Sequence, residues 1–226
     1  MKKIVVLTGA GISAESGIKT FRDADGLWEG HDVMEVASPK GFRDNPELVL
    51  DFYNQRRKQL LEVKPNEAHL NLVKLEDKFD VEIITQNVDD LHERAGSKKV
   101  THLHGELLKV RSTTNHKDIQ NWKDDLHLGD VCKNGSQLRP HIVWFGEMVP
   151  MLDKAIEITL TADILVIIGT SMQVYPAASL VNYIKTNTPI YFIDPKPSVA
   201  KNDFNNLTII KELASVGTRK LLEFIV

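Results

Sequence analysis

Ile4-Val5-Val6-Leu7-Thr8-Gly9-Ala10-Gly11-Ile12-Ser13-Ala14-Glu15-Ser16-Gly17 is the stretch that decides the fold. A β-branched run ending in Gly-x-Gly reads as a buried parallel strand that delivers its carboxyl end to a phosphate. Gly9 would allow the tight turn, Gly11 the approach of backbone N–H groups to an anion, and Ala14 close packing of helix on strand. The spacing Gly9-x-Gly11-x-x-Ala14 fits a dinucleotide fingerprint with Ala as its third small residue. A helix expected to start near Ser13 would aim its positive end at a pyrophosphate. Taken alone, the same turn serves equally as a strand-to-helix connection that binds nothing.

Outward from this turn, strand-like runs recur at Val81–Thr85, Val100–Leu103, Ile164–Ile168, Ile190–Ile193 and Leu207–Ile210. Helical stretches fall between most of them, at Asn66–Lys78, Leu152–Thr161, Ala177–Thr186 and Val216–Ile225. The alternation predicts an α/β protein with a Rossmann-like, doubly wound parallel sheet. Functional loops then gather at the carboxyl ends of the strands, where Gly9, Gln86, His104, Gly169 and Asp194 stand. Residues 29–66 and 107–141 break the alternation; the second is polar and irregular. They read as two insertions forming a small lobe, with the main domain built from 1–28, 67–106 and 142–226.

Composition narrows the class. The 226 residues are 42% hydrophobic and 26% charged, ordinary for one soluble core. A net charge of −3 gives no electrostatic reason to expect nucleic acid. A single cysteine, Cys132, excludes an intrachain disulfide framework and suits a reducing compartment. Lys2-Lys3 before Ile4–Leu7 is too short an apolar run for a signal peptide, and no run is long enough to span a membrane. The expectation is a cytoplasmic protein with no membrane partner; oligomeric state stays open, with a monomer favoured.

Four further strings carry polar chemistry. Thr85-Gln86-Asn87-Val88-Asp89 offers two amides and a carboxylate after a strand, suited to ribose hydroxyls and a carboxamide, or simply to a capped polar turn. His102-Leu103-His104-Gly105 offers a base poised near neutral pH beside a glycine that lets a substrate approach; a structural or metal-binding histidine pair is the other reading. Val143-Trp144-Phe145-Gly146 is β-prone, and an extended peptide could add to it as a strand; an ordinary core strand reads as well. Asn45-Pro46 starts a helix on which Val49, Phe52, Tyr53 and Leu60 form one stripe. Arg56 falls inside that stripe, whereas Arg57 and Lys58 turn away. A guanidinium there either pairs structurally or binds a carboxylate.

The stretch from Gly9 to Trp28, a long loop with Phe, Arg and Trp beside a phosphate turn, resembles the signature of the sirtuins, the NAD-dependent protein-lysine deacylases. Six separated motifs follow the family's order from Ile4 to about Ser215. The resemblance implies NAD as cofactor, acylated-lysine proteins or peptides as partners, and His104 and Asn87 as catalytic residues. It implies that Gly9, Ala10, Gly11, Ser13, Phe21, Arg22, Trp28 and Val88 bind NAD, with Gln86 and Asn87 meeting the ribose and Asp89 holding the carboxamide. Gly169, Thr170 and Ser171 would meet phosphate or ribose, and Ala214 would lie near the adenine. Asp194 stands where the family pattern has Asn; its carboxylate still accepts from a ribose diol and repels a 2′-phosphate.

For the substrate, the resemblance implies Val143, Phe145, Gly146 and Val174 along the peptide. Tyr53-Asn54-Gln55-Arg56 resembles the Tyr-x-x-Arg pair of sirtuins that remove succinyl and other acidic acyl groups. Many sirtuins also hold zinc with four cysteines, but residues 106–138 contain only Cys132. His116, His127 and His141 fit no common zinc spacing, so no metal is expected. The lobe would pack instead through Trp122, Leu126 and Leu128. Two other activities stay open: ADP-ribosyl transfer or NAD hydrolysis at the same site, and a non-catalytic NAD- or acyl-lysine-binding module.

Overall fold

The structure, a computed structural model, describes residues 1–19, 27–200, 202–204 and 206–225. In chain order, its first half holds β1 (Lys3–Thr8), β2 (Leu27–Trp28), β3 (His31–Asp32), α1 (Val33–Val36), α2 (Pro39–Asp44), α3 (Pro46–Glu62), α4 (Glu67–Leu75), β4 (Asp80–Thr85), α5 (Leu91–Ala95) and β5 (Val100–His102). There follow β6 (Gly105–Ser112), β7 (Ile119–Asn121), β8 (Leu138–Ile142), α6 (Leu152–Leu160), β9 (Ile164–Ile168), β10 (Ile190–Ile193), β11 (Leu207–Ile210) and α7 (Ala214–Ile225).

Six of these strands form one parallel sheet in the order β11-β10-β9-β1-β4-β5. Central β1 is paired on both sides, Ile4 with Val81 of β4 and with Ile164 of β9. Its side chains alternate between two cores, as strand geometry requires. Ile4 and Val6 pack with Leu72 of α4 and Leu221 of α7, while Val5 and Leu7 pack with Ala155 and Ile158 of α6. Strand order reverses between β1 and β9, so the loops leaving them diverge and open a crevice at the carboxyl edge. The doubly wound sheet is as expected.

Local structure departs from expectation in several places. No helix starts near Ser13; two single 3₁₀ turns, Ala10–Ile12 and Ala14–Ser16, carry the chain instead. The segment after β9 is also 3₁₀, Ala177–Tyr183. Residues 107–141 are irregular only in part: β7, β6 and β8 form an antiparallel sheet, while 122–137 run in turns and loops apart from a Val131–Gln137 bridge. Only Leu107, Val110, Leu126, Cys132 and Leu138 bury apolar side chains between residues 107 and 138, too few for a visible alternation.

Helix α3 begins as its sequence implies, with Asn45 Oδ1 accepting from the Leu48 amide and Pro46 in the first turn. Val49, Phe52, Tyr53 and Leu60 are buried against Trp144 and Leu107. Arg57 does not turn away. It is 1% exposed and donates from Nε to the Leu107 carbonyl and from Nη1 to Asn54 Oδ1 and the Asp124 carbonyl. Lys58 is exposed and pairs with Asp125. Trp122 and Leu126 pack in the lobe with Leu50 and Cys132, whereas Leu128 is exposed. Among the described residues no helix is long and apolar enough to cross a membrane.

Candidate active site

The crevice is a cavity of about 830 Å³ between the carboxyl edge of the sheet and the lobe. This is ample for a nucleotide-sized ligand. Gly9, Ala10 and Gly11 line it from the loop after β1, and Gly169, Thr170 and Ser171 from the loop after β9. The two loops lie back to back. Gly11 donates its amide to the Gly169 carbonyl at 2.9 Å, and a Cβ on Gly11 would stand 2.5 Å from the Gly169 α-carbon. Gly169 itself has φ +62. These glycines are therefore required by the approach of one loop to the other, and the Gly11 amide is already used. Gly105 is held to glycine in the same way. Its absent Cβ clears the His141 carbonyl, on the partner strand β8, rather than a substrate.

Behind the loops, Ser13 is fully buried and does not line the cavity. Its hydroxyl accepts from Asn87 Nδ2 at 3.2 Å and donates to Asp89 Oδ2 at 2.9 Å. Asp89 Oδ1 accepts the Leu91 amide, and burial raises the carboxyl's pKa against both of these bonds. Ser13 thus fixes the amide and the acid that face the cavity. Gln86 and Val88 line it beside them, with Gln86 Nε2 donating to Thr170 Oγ1.

His104 reaches the same space from the end of β5. Its Nδ1 lies 3.0 Å from the Gln86 carbonyl, which only accepts, so the proton sits on Nδ1 and Nε2 carries the lone pair. Burial lowers its pKa, and the Gln86 bond offsets this only in part. The ring is therefore neutral at physiological pH and suited to take a proton. His102 is its opposite. Both ring nitrogens face acceptors, the Asn87 carbonyl at 3.1 Å and Glu93 Oε1 at 2.7 Å. Burial opposes its charge, but Glu93 outweighs that and raises the pKa. His102 is a buttress, not a base.

At the lobe end aromatic rings line the cavity beside the Arg56 guanidinium. Trp28 meets Phe52 and Tyr53 edge-on at 5.0 and 6.2 Å, so it borders α3. Tyr53 is 1% exposed and accepts the Trp144 indole N–H at 2.9 Å, which leaves its own proton free to donate. Burial pushes that phenol's pKa far above its usual value. Arg56 lies over the Phe52 ring, and its buried Nε has no hydrogen-bond partner. Val143 and Phe145 lie beyond the end of β8, so this stretch is not a strand; Val143 donates to the His104 carbonyl and Phe145 to that of Ala37. Gly146, at φ +87, has nothing within 4 Å of where a Cβ would stand, and both it and Val174 line the cavity.

Asp194 and Ala214 line the opposite end, where Asp194 Oδ1 accepts the Lys196 amide. Ser215 is turned from the cavity to Glu15, which takes both its amide and hydroxyl. Phe21 and Arg22 lie outside the described residues. Glu29, Lys19, Leu213 and Lys196 line the cavity although sequence patterns did not single them out; no motif spacing marks them. The residues present fit NAD: the amides of Gln86 and Asn87 and the hydroxyls of Thr170 and Ser171 line the cavity together with the carboxylate of Asp194. Among the described residues no cluster of His, Cys, Asp and Glu could hold a metal ion.

A switch-point crevice with a neutral histidine, an ordered amide and a buried acid defines a nucleotide-dependent enzyme on a Rossmann-like sheet. The chain belongs to the Sir2 family, whose profile matches residues 9–176. It is 60% identical over 224 residues to an NAD-dependent protein deacylase of Helicobacter pylori, covering 98% of this chain and 96% of that protein. A Bacteroides thetaiotaomicron protein of the same description is 50% identical over 232 residues, covering 100% and 99%. Among solved structures, a Sir2 homologue in complex with NAD is 40% identical with a TM-score of 0.88, covering 99% of this chain and 89% of that one. Sir2 bound to an acetylated peptide is 32% identical with a TM-score of 0.80, covering 98% and 92%.

Proposed function

We propose that the chain is an NAD-dependent protein-lysine deacylase whose pocket prefers acidic acyl groups, succinyl above acetyl. NAD, when bound, supplies an activated ribose carbon with nicotinamide as leaving group, and carries away the acyl group as O-acyl-ADP-ribose. The chain supplies the rest. Nε2 of His104 takes the proton of a ribose hydroxyl. Asn87, held by Ser13, orients the ribose, and Asp89 accepts from the carboxamide. Trp28 and Tyr53 enclose the acyl channel and exclude water.

The observation that carries the acyl preference is the pair Tyr53 and Arg56, one turn apart on α3 and both lining the cavity. A free phenol proton and a guanidinium with a buried, unused Nε–H answer a carboxylate at the end of a short acyl chain. An acetyl group reaches neither. Comparing kcat/KM for succinyl- and acetyl-lysine peptides tests this. Arg56→Met should reduce the succinyl preference about 10- to 150-fold, the worth of charge-assisted hydrogen bonds. Tyr53→Phe should shift it less, in the same direction. Equal losses on both peptides would make the pair structural.

A further inference from the structure

Glu29 and Gly30 form the two-residue loop of the β2–β3 hairpin, in which Trp28 pairs with His31. Both have positive φ, +52 and +86, as a type I′ turn requires. Asn, Asp and Gly suit the first of these positions; a glutamate is strained there, and retained strain points to a role for the side chain. That side chain is 13% exposed and lines the acyl end of the cavity. Its Oε2 lies 3.1 Å from Lys19 Nζ and 4.0 Å from an Arg56 Nη1. The first is a hydrogen bond; the second is charge attraction without one.

We propose that Glu29 is a specificity-determining residue of the acyl pocket, sharing Arg56 with an incoming acyl carboxylate and yielding it by staying with Lys19. This rests on the acidic-acyl reading above. Two cations and one carboxylate leave the described cluster at +1. A succinyl or malonyl carboxylate brings it to zero; an acetyl group does not change it. With an acetyl group bound, Glu29 remains the counter-charge that keeps Arg56 from standing uncompensated in an apolar wall. With an acidic group bound, Glu29 competes with the acyl carboxylate for the same guanidinium and weakens its hold. It thereby narrows the gap between the two substrates.

The test is the ratio of kcat/KM for succinyl- over acetyl-lysine peptides in Glu29→Gln and in Glu29→Asn, which suits the positive φ and separates charge from turn strain. Both should raise the ratio about three- to tenfold, somewhat beyond the range of exposed ion pairs, chiefly through the succinyl KM. The effect should vanish in an Arg56→Met background, as coupled residues require. A ratio that stays level or falls, or a rise that persists without Arg56, overturns the role of Glu29. If Arg56→Met alone leaves the wild-type ratio unchanged, the acidic-acyl reading itself fails, whatever Glu29 does.

Discussion

His92 Nε2 stands 3.1 Å from Thr8 Oγ1, tying α5 to the carboxyl end of β1. The Thr8 hydroxyl donates onward to Thr85 Oγ1, so its oxygen accepts and His92 carries its proton on Nε2. Thr85 Oγ1 also accepts the Asn87 amide at 3.0 Å. A buried imidazole thus supports the loop that presents Asn87. His69 packs edge-on against it, ring centroids 4.9 Å apart, with Nδ1 accepting from the Asn66 amide. Asn66 in turn donates to the Ile12 carbonyl and Ser16 Oγ, so both halves of the nucleotide site rest on this pair.

The pair predicts an acid-side loss of stability. Burial lowers His69 to about 4 and His92 well below the ordinary value, the latter also through the charges of His69 and His102. The folded state keeps both neutral, while the unfolded chain binds protons from about pH 6.5 downward. Stability is therefore complete above 6.5 and lost as pH falls toward 4. His69 alone accounts for on the order of 3 kcal/mol. Thermal melts between about pH 7 and pH 5 should show Tm falling in wild type and a shallower slope in His69→Gln. Identical slopes would sink the assignment.

His104 yields a separable prediction. With its pKa lowered by burial, the acid limb of kcat/KM should lie below the ordinary histidine range. His104→Ala should lose at least about 10²-fold in deacylation, the usual worth of a general base, with an unchanged melt. A folded variant retaining near-wild-type turnover would remove His104 from the reaction.

What was legible follows from range. The parallel sheet was readable because each strand declares itself by a local apolar run, and its loops follow by position. His104, Gln86, Asn87 and Asp89 stand at such loops, and the structure brings them to one cavity. What was not legible depends on partners far along the chain. Gly11 must be glycine because of Gly169, and Gly105 because of His141. Ser13 withdraws from the ligand side because Asn87 and Asp89 claim its hydroxyl. The side that Arg57 faces depends on where Leu107 and Asp124 fold.

The tip of the lobe carries its own prediction. Ser112 Oγ accepts from Cys132 Sγ at 3.6 Å and from the amides of Thr114 and Asn115, while Thr114 Oγ1 and Ser136 Oγ lie 2.7 Å apart. Hydroxyls and one thiol, hydrogen-bonded among themselves, join the segment after β6 to the turn before β8. A strong chelator should therefore leave the melt and the deacylation rate unchanged. About one zinc per chain by elemental analysis, or a Tm drop on chelation, would refute this.

Arg56 and Arg57 are neighbours with opposite duties, and substitution should separate them. Arg57 is charged at neutral pH even though burial lowers its pKa to about 10. Two of its three hydrogen bonds bind α3 to β6 and to the loop at Asp124, and the third holds Asn54 on α3 itself. Arg57→Met removes them and strands buried carbonyls, at a cost of about 2 kcal/mol. For a chain of this size that lowers Tm by roughly 4–8 °C. The succinyl-to-acetyl ratio should stay as in wild type, because Arg57 does not line the cavity. Arg56→Met should do the reverse, moving the ratio and leaving Tm nearly unchanged. If Arg57→Met shifts the ratio as far as Arg56→Met does, selectivity belongs to the helix as a whole and not to the Arg56 guanidinium.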